Sequence, residues 1–175
     1  MNVASRALLE IVHAASVVIP MAALPTSNKT SAMLKLCLFS PVKGTVVHKG
    51  RPVVGAVIER TCKWNWKNYE PTTDQTKTDK NGEFSLPGIY SWMIHAQLVP
   101  HQPVIHQKIT VKCDGNEFSA WAYMKMEYGL YKELEMERWA GESPGLGGKP
   151  INLFCELDAE LQHRAGYGGI AELRS

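Results

Sequence analysis

Apolar positions fall into two textures along this chain. Before residue 36 they gather in one run over residues 7–24, and after it they alternate in short segments separated by turn residues. Residues 36–47 read as a first strand, ended by His48-Lys49-Gly50. Residues 52–62 read as a second, with Val54, Ala56 and Ile58 on one face and Val53 and Val57 on the other. Pro52 stands where a strand can begin without losing a ladder hydrogen bond. Residues 76–79 lead into Lys80-Asn81-Gly82, after which Phe84 and Leu86 alternate with Glu83 and Ser85. Asn-Gly supplies the positive φ angles of a tight hairpin, and Asp79 can accept the turn's backbone amides. The clearest alternation sets Ile105, Gln107, Ile109, Val111 and Cys113 against His106, Lys108, Thr110 and Lys112, one face buried and one wet. Asp114-Gly115-Asn116 turns the chain into a strand at 117–126. A last strand at 150–158 puts Ile151, Leu153, Cys155 and Leu157 on a common face. Only residues 131–140 among the later segments have the texture of a helical turn. About seven strands punctuated this way predict an all-β, Ig-like antiparallel sandwich over residues 36–160, with 161–175 as a C-terminal tail.

Residues 1–35 read in three ways. Arg6, the apolar run and the small residues Thr30-Ser31-Ala32 suit an export signal or anchor, although Glu10 and His13 interrupt it. Leu8, Ile11, Val12, Ala15 and Ile19 share one face of an amphipathic helix. The third reading starts the working protein at Met33. Pro20 and Pro25 break a stretch already short for a membrane span. An export signal over residues 1–32 places the protein in the periplasm or cell envelope, with membrane association through residues 1–24 if they stay attached. The other two readings leave it cytoplasmic.

Composition narrows the function classes. The chain has 175 residues, 45% of them hydrophobic and 21% charged, enough for one domain with a buried core. Nineteen Lys and Arg against seventeen Asp and Glu leave a net charge of +2, too little for a nucleic-acid partner.

Three sets of residues carry a resemblance: Gly44-x-Val46; Gly50-x-Pro52-Val53-x-Gly55-Ala56-x-Ile58; and Thr78-Asp79-x-x-Gly82-x-Phe84-x-Leu86-Pro87. Together they resemble the carboxypeptidase regulatory-like, transthyretin-like β-sandwich superfamily. Within it the chain is most similar to a bacterial family of unassigned function. Trp64 and Trp66, the stretch Pro100-His101-x-Pro103, Ala120-Trp121 and the run from Lys149 to Leu157 match features of that family. The resemblance spans roughly residues 36–160 and implies a fold more than an activity. The His/Arg pattern of transthyretin-related hydroxyisourate hydrolases is missing.

No catalytic pattern emerges. His95, His101 and His106 lack the close pairing of a zinc site and read as loop and strand-surface residues. Cys37, Cys62, Cys113 and Cys155 are too far apart for a zinc knuckle or a redox motif. They read as buried thiols, with one bridge from Cys62 to Cys113 or Cys155 as the alternative in an exported protein. The glycine-rich stretch 141–148 lacks the Lys-Ser/Thr of a phosphate loop. The segment Lys63-Trp64-Asn65-Trp66-Lys67-Asn68-Tyr69 stands apart, because aromatics interleaved with cations make interface anchors. If extended, it points Trp64 and Trp66 the same way, and the competing reading has them covering the core.

These features lead to a non-enzymatic protein-binding sandwich without metal or cofactor, its partner-binding candidates being Trp64, Trp66, Tyr69, Lys63 and Lys67. The family resemblance suggests an immunity or accessory protein that neutralises a toxin in a type VI secretion setting. The alternative is an envelope structural or carbohydrate-binding module. An enzyme would need one of His95, His101 or His106 joined to a carboxylate in a pocket.

Overall fold

The computed structural model describes residues 35–92, 99–133, 150–164 and 167–174. The readings of residues 1–34, His95, 134–140 and 141–148 lie outside the described residues. The strands are β1 (Leu36–Phe39), β2 (Val42–His48), β3 (Arg51–Pro52), β4 (Val57–Trp64), β5 (Pro71–Lys77), β6 (Glu83–Leu86) and β7 (Ile89–Ser91). They continue with β8 (Ile105–Cys113), β9 (Asn116–Lys125), β10 (Ile151–Glu156), β11 (Gln162–Arg164), β12 (Tyr167–Gly169) and β13 (Ala171–Leu173). Among the described residues a single 3-10 turn, Asn65–Lys67, follows β4.

The expected all-β sandwich is what these strands build. One sheet runs β13-β10-β2-β3, with β6 also paired to β2, and the other runs β11-β12-β9-β8-β4-β5. Between them lies one core, to which the first sheet gives Val42, Val46, Leu86, Ile151 and Leu153. Ile58, Ile105, Ile109, Val111 and Trp121 come from the second. β1 and β7 form a separate two-stranded ribbon. Among the described residues no helix is long and apolar enough to cross a membrane.

The strand count exceeds seven because two expected strands break and because β7, β11, β12 and β13 arise where no strand was expected. The first breaks at Ser40-Pro41: Pro41 has no N–H to offer a ladder, and the Ser40 N–H is spent on the Glu133 carboxylate at 3.0 Å. The second breaks at residues 53–56, where Gly55 takes φ +76 and the Thr78 hydroxyl donates to the Val53 carbonyl and accepts from the Ala56 N–H. That loop leaves Val54 65% exposed, not on a shared face with Ala56 and Ile58, which are buried.

Turn chemistry also departs from expectation. Only Gly82 of the Asn81-Gly82 pair has positive φ, and the turn carries the chain between sheets, from β5 to β6, instead of closing a hairpin within one. Asp79 does hold it: its Oδ1 accepts the N–H groups of Asn81 at 2.8 Å and Glu83 at 2.9 Å. Among the described residues, the two-residue hairpin turns with both φ angles positive are Lys49-Gly50, before β3, and Asp114-Gly115, before β9.

Two further differences concern the C-terminal third. β10 lies parallel to β2, in register from Ile151 opposite Val42 to Glu156 opposite Val47, whereas the expectation was antiparallel throughout. Parallel neighbours need a long connection, and most of the domain intervenes between these two. Residues 161–175 are not a tail: β13 pairs with β10 and β12 pairs with β9, extending both sheets.

Gly44 on β2 shows how tightly neighbouring strands of the first sheet meet, with Phe84 of β6 and Leu153 of β10 its direct partners. A Cβ there would sit 2.6 Å from the Phe84 ring and 2.7 Å from the Leu153 carbonyl oxygen. Gly44→Ala should therefore cost about 1–3 kcal/mol of stability, read as a lower denaturant midpoint.

The Glu156 carboxylate clamps the first hairpin turn by accepting the N–H groups of Lys49 at 2.8 Å and Gly50 at 3.1 Å. Desolvation pushes its pKa up, but the backbone donors outweigh this and hold the group below its ordinary value. A depressed folded pKa adds stability above the unfolded carboxyl value, about 4.3, that is lost as pH falls through the folded one. Glu156→Gln should accordingly flatten the decline in Tm between pH ~5 and ~3.

Candidate functional site

The aromatic segment after β4 does not remain extended. β4 ends at Trp64, the chain coils through Asn65–Lys67, and Asn68 and Tyr69 take φ values of 50° and 59°. Trp64 and Trp66 consequently part company. Trp64 is 1% exposed and belongs to the core, which removes it from the expected binding surface. Trp66 is half-buried at the rim, edge-on to His101 with ring centroids 4.7 Å apart.

A hydrogen-bond chain fixes this corner. The Trp64 Nε1–H donates to the Tyr128 hydroxyl at 3.1 Å, and that hydroxyl donates to His101 Nε2 at 2.6 Å. His101 Nδ1–H donates to the Val99 carbonyl at 2.8 Å. The carbonyl selects the tautomer, since a nitrogen facing it must carry the proton and leaves the other free to accept. Desolvation raises the Tyr128 pKa, only partly offset by the Trp64 N–H, and so keeps the phenol protonated and donating. His101 thus fastens the loop ahead of β8 to the sandwich.

Of the remaining candidates, Lys63 lies on the outer face of the six-stranded sheet, and Lys67 and Tyr69 lie on the turn that joins β4 to β5. Lys63 on β4 stands opposite His106 on β8, which stands opposite Met124 on β9. Tyr69 is 45% exposed with its ring 5.7 Å from that of His106, and Met124 is 42% exposed. Lys63 and Lys67 are exposed beside them. Sequence reasoning named Lys63, Lys67 and Tyr69 but passed over Met124 and Tyr128. Met124 was findable, because it shares the outward parity of the strand that begins at residue 116.

Beneath this face lies a polar knot that was not anticipated. Lys125 and Glu133 are fully buried and paired, Nζ to Oε1, at 3.0 Å. Glu133 also accepts from the Ser40 hydroxyl at 2.7 Å and from Gln107 Nε2 at 2.9 Å, and Lys125 donates to the Gly129 carbonyl at 2.8 Å. Burial works to raise the Glu133 pKa, but Lys125, Gln107 and Ser40 together prevail and lower it. Arg60, likewise buried, bonds Asp74 on the edge strand β5 and lies over the Phe39 ring at 5.0 Å. Gln107 and Lys125 betray themselves by parity, being polar residues in step with apolar neighbours. Glu133 gives no such signal.

All four cysteines are free thiols, so the bridge from Cys62 to Cys113 or Cys155 is not formed. Register explains why. Cys62 stands opposite Gln107, so Cys113 lies six residues further along β8. That offset is roughly 20 Å of strand, against a Cα separation of about 7 Å at most for a disulfide. Cys155 is on the facing sheet, about 10 Å away. Burial pushes Cys62 and Cys155 up to about 12, which keeps both as unreactive thiols. Among the described residues no group of three His, Cys, Asp or Glu could hold a metal ion.

Removing one member of the buried pair leaves the other charged in an apolar interior. Lys125→Met should cost about 3–5 kcal/mol in equilibrium unfolding, despite its added hydrophobicity.

No curated protein and no solved structure matches the chain. Residues 42–160, from the start of β2 to just before β11, match the family described as Domain of unknown function (DUF6795). With more than half its length matched, this chain belongs to that family.

Proposed function

We propose that this chain is a non-enzymatic binding protein that grips a protein partner through the outer face around Tyr69. One observation carries the reading: the Tyr69 ring, on the turn after β4, lies 5.7 Å from that of His106, which stands between Lys63 and Met124 on the six-stranded sheet, and both Tyr69 and Met124 are more than two-fifths exposed. An amphipathic aromatic and an adaptable thioether make effective anchors, and depend on a scaffold that does not move. The flanking lysines favour a partner with acidic groups around an apolar centre.

The resemblance to bacterial sandwich proteins supports a finer form of this reading, an immunity or accessory protein that neutralises a toxin, including an effector of type VI secretion. A carbohydrate-binding role draws less support. The flat Trp64–Trp66 platform it relied on is gone, with Trp64 in the core.

The test is binding to, and protection against, the product of a neighbouring toxin-like gene. Tyr69→Ala combined with Met124→Ala should weaken the complex by ~30-fold or more while leaving the melting temperature nearly unchanged. Unaltered affinity in that double variant would dismiss this face as the interface. Absence of both binding and protection would dismiss the toxin-neutralising form.

A further inference from the structure

The buried knot contains a reactive set that partner binding does not use. Glu133 Oε1 accepts from Lys125 Nζ at 3.0 Å and from Gln107 Nε2 at 2.9 Å, so one carboxylate oxygen bridges an amine and a carboxamide. Lys125 and Gln107 share the inner face of adjacent strands: Gln107 stands opposite Tyr123 and Ile105 opposite Lys125, which makes the two a diagonal pair. Long side chains span such a diagonal. Exposure is 0% for Lys125 and Glu133 and 2% for Gln107, so bulk water is excluded. The fourth observation is an orphan: Gln107 Oε1, itself buried, has no hydrogen-bond partner. A carbonyl left unpaired in an interior costs free energy that an ordinary glutamine should have avoided.

We propose that Lys125 and Gln107 become joined by an intramolecular amide bond, with Glu133 carrying the protons. The Glu133 carboxylate takes one proton from the Lys125 ammonium, and the neutral Nζ attacks Gln107 Cδ. Glu133 passes that proton to Nε2, the Cδ–Nε2 bond breaks, and ammonia leaves. A second Nζ proton then moves to Glu133. The products are a secondary amide, one ammonia and a neutral Glu133 carboxyl group, with no oxidant or reductant required. The outcome suits a dry interior, because a buried ion pair is replaced by uncharged groups. Glu133, now protonated, can donate to the amide oxygen that began as the orphaned Gln107 Oε1.

Tryptic peptide mapping of the full chain, after denaturation and reduction, tests this whatever the processing of the N-terminus. Trypsin should fail to cut after Lys125, and the peptide covering residues 113–132 should be attached to the one ending at Lys108. The joined mass should fall short of the sum by one ammonia, about 17 Da. Gln107→Ala, Lys125→Arg and Glu133→Ala should each abolish the joined peptide. If those variants do not fold, the native chain decides alone. Recovery of separate, unmodified 113–125 and 126–132 peptides overturns the proposal, as does a loss of about 18 Da that links Lys125 to Glu133.

Discussion

The Glu133 carboxylate is the point from which much of this architecture is held. It occupies the core end of a segment that returns from β9, and it receives hydrogen bonds from Ser40, Gln107 and Lys125. Those donors belong to the β1–β2 break, to β8 and to β9. A carboxylate in an apolar interior is tolerable only when surrounded in this way, so the surroundings are constrained as tightly as the group itself. The Ser40 N–H cannot serve a strand ladder while it serves Glu133. The split of the first expected strand, and the diversion of β1 into its own ribbon with β7, follow from that commitment.

The same constraint shapes the edge of the six-stranded sheet. β5 is its exposed margin, and Asp74 points inward from it to the buried Arg60. A charge turned inward on an edge strand discourages another chain from adding to it. The outer face escapes this restriction, and it is there that Tyr69, Met124 and the lysines gather. The two sides of one sheet therefore divide the labour: the inner side uses charge for internal order, and the outer side offers apolar and cationic groups to a partner.

The corner built by Trp64, Tyr128 and His101 ties these sides together. The indole is core, the imidazole is at the rim, and the phenol between them satisfies both. A tryptophan that looked like an interface anchor is instead the root of the loop that frames the interface.

What the amino-acid order determined alone were the features governed by local periodicity. The β8 alternation, the Ile151-Leu153-Cys155-Leu157 face, the Asp79 clamp and the all-β class could be read because side chains alternate across a strand and turns need particular residues. Even there, Thr110 is buried where a wet face was expected, beside the bulge between Ile109 and Thr110. Tertiary structure decided what depends on partners far away in the chain. Glu133 meets Ser40 across 93 positions, and β10 meets β2 in parallel across most of the domain. The terminal strands β12 and β13 find edges laid down long before them. Trp64 keeps the inward parity of Ile58 and Cys62 to the end of β4, whereas Trp66 was parted from it by the coil that follows, where the Val104 carbonyl accepts the Asn65 N–H. Periodicity reports which side of a strand a residue occupies, but only the packed layers determine what it meets there.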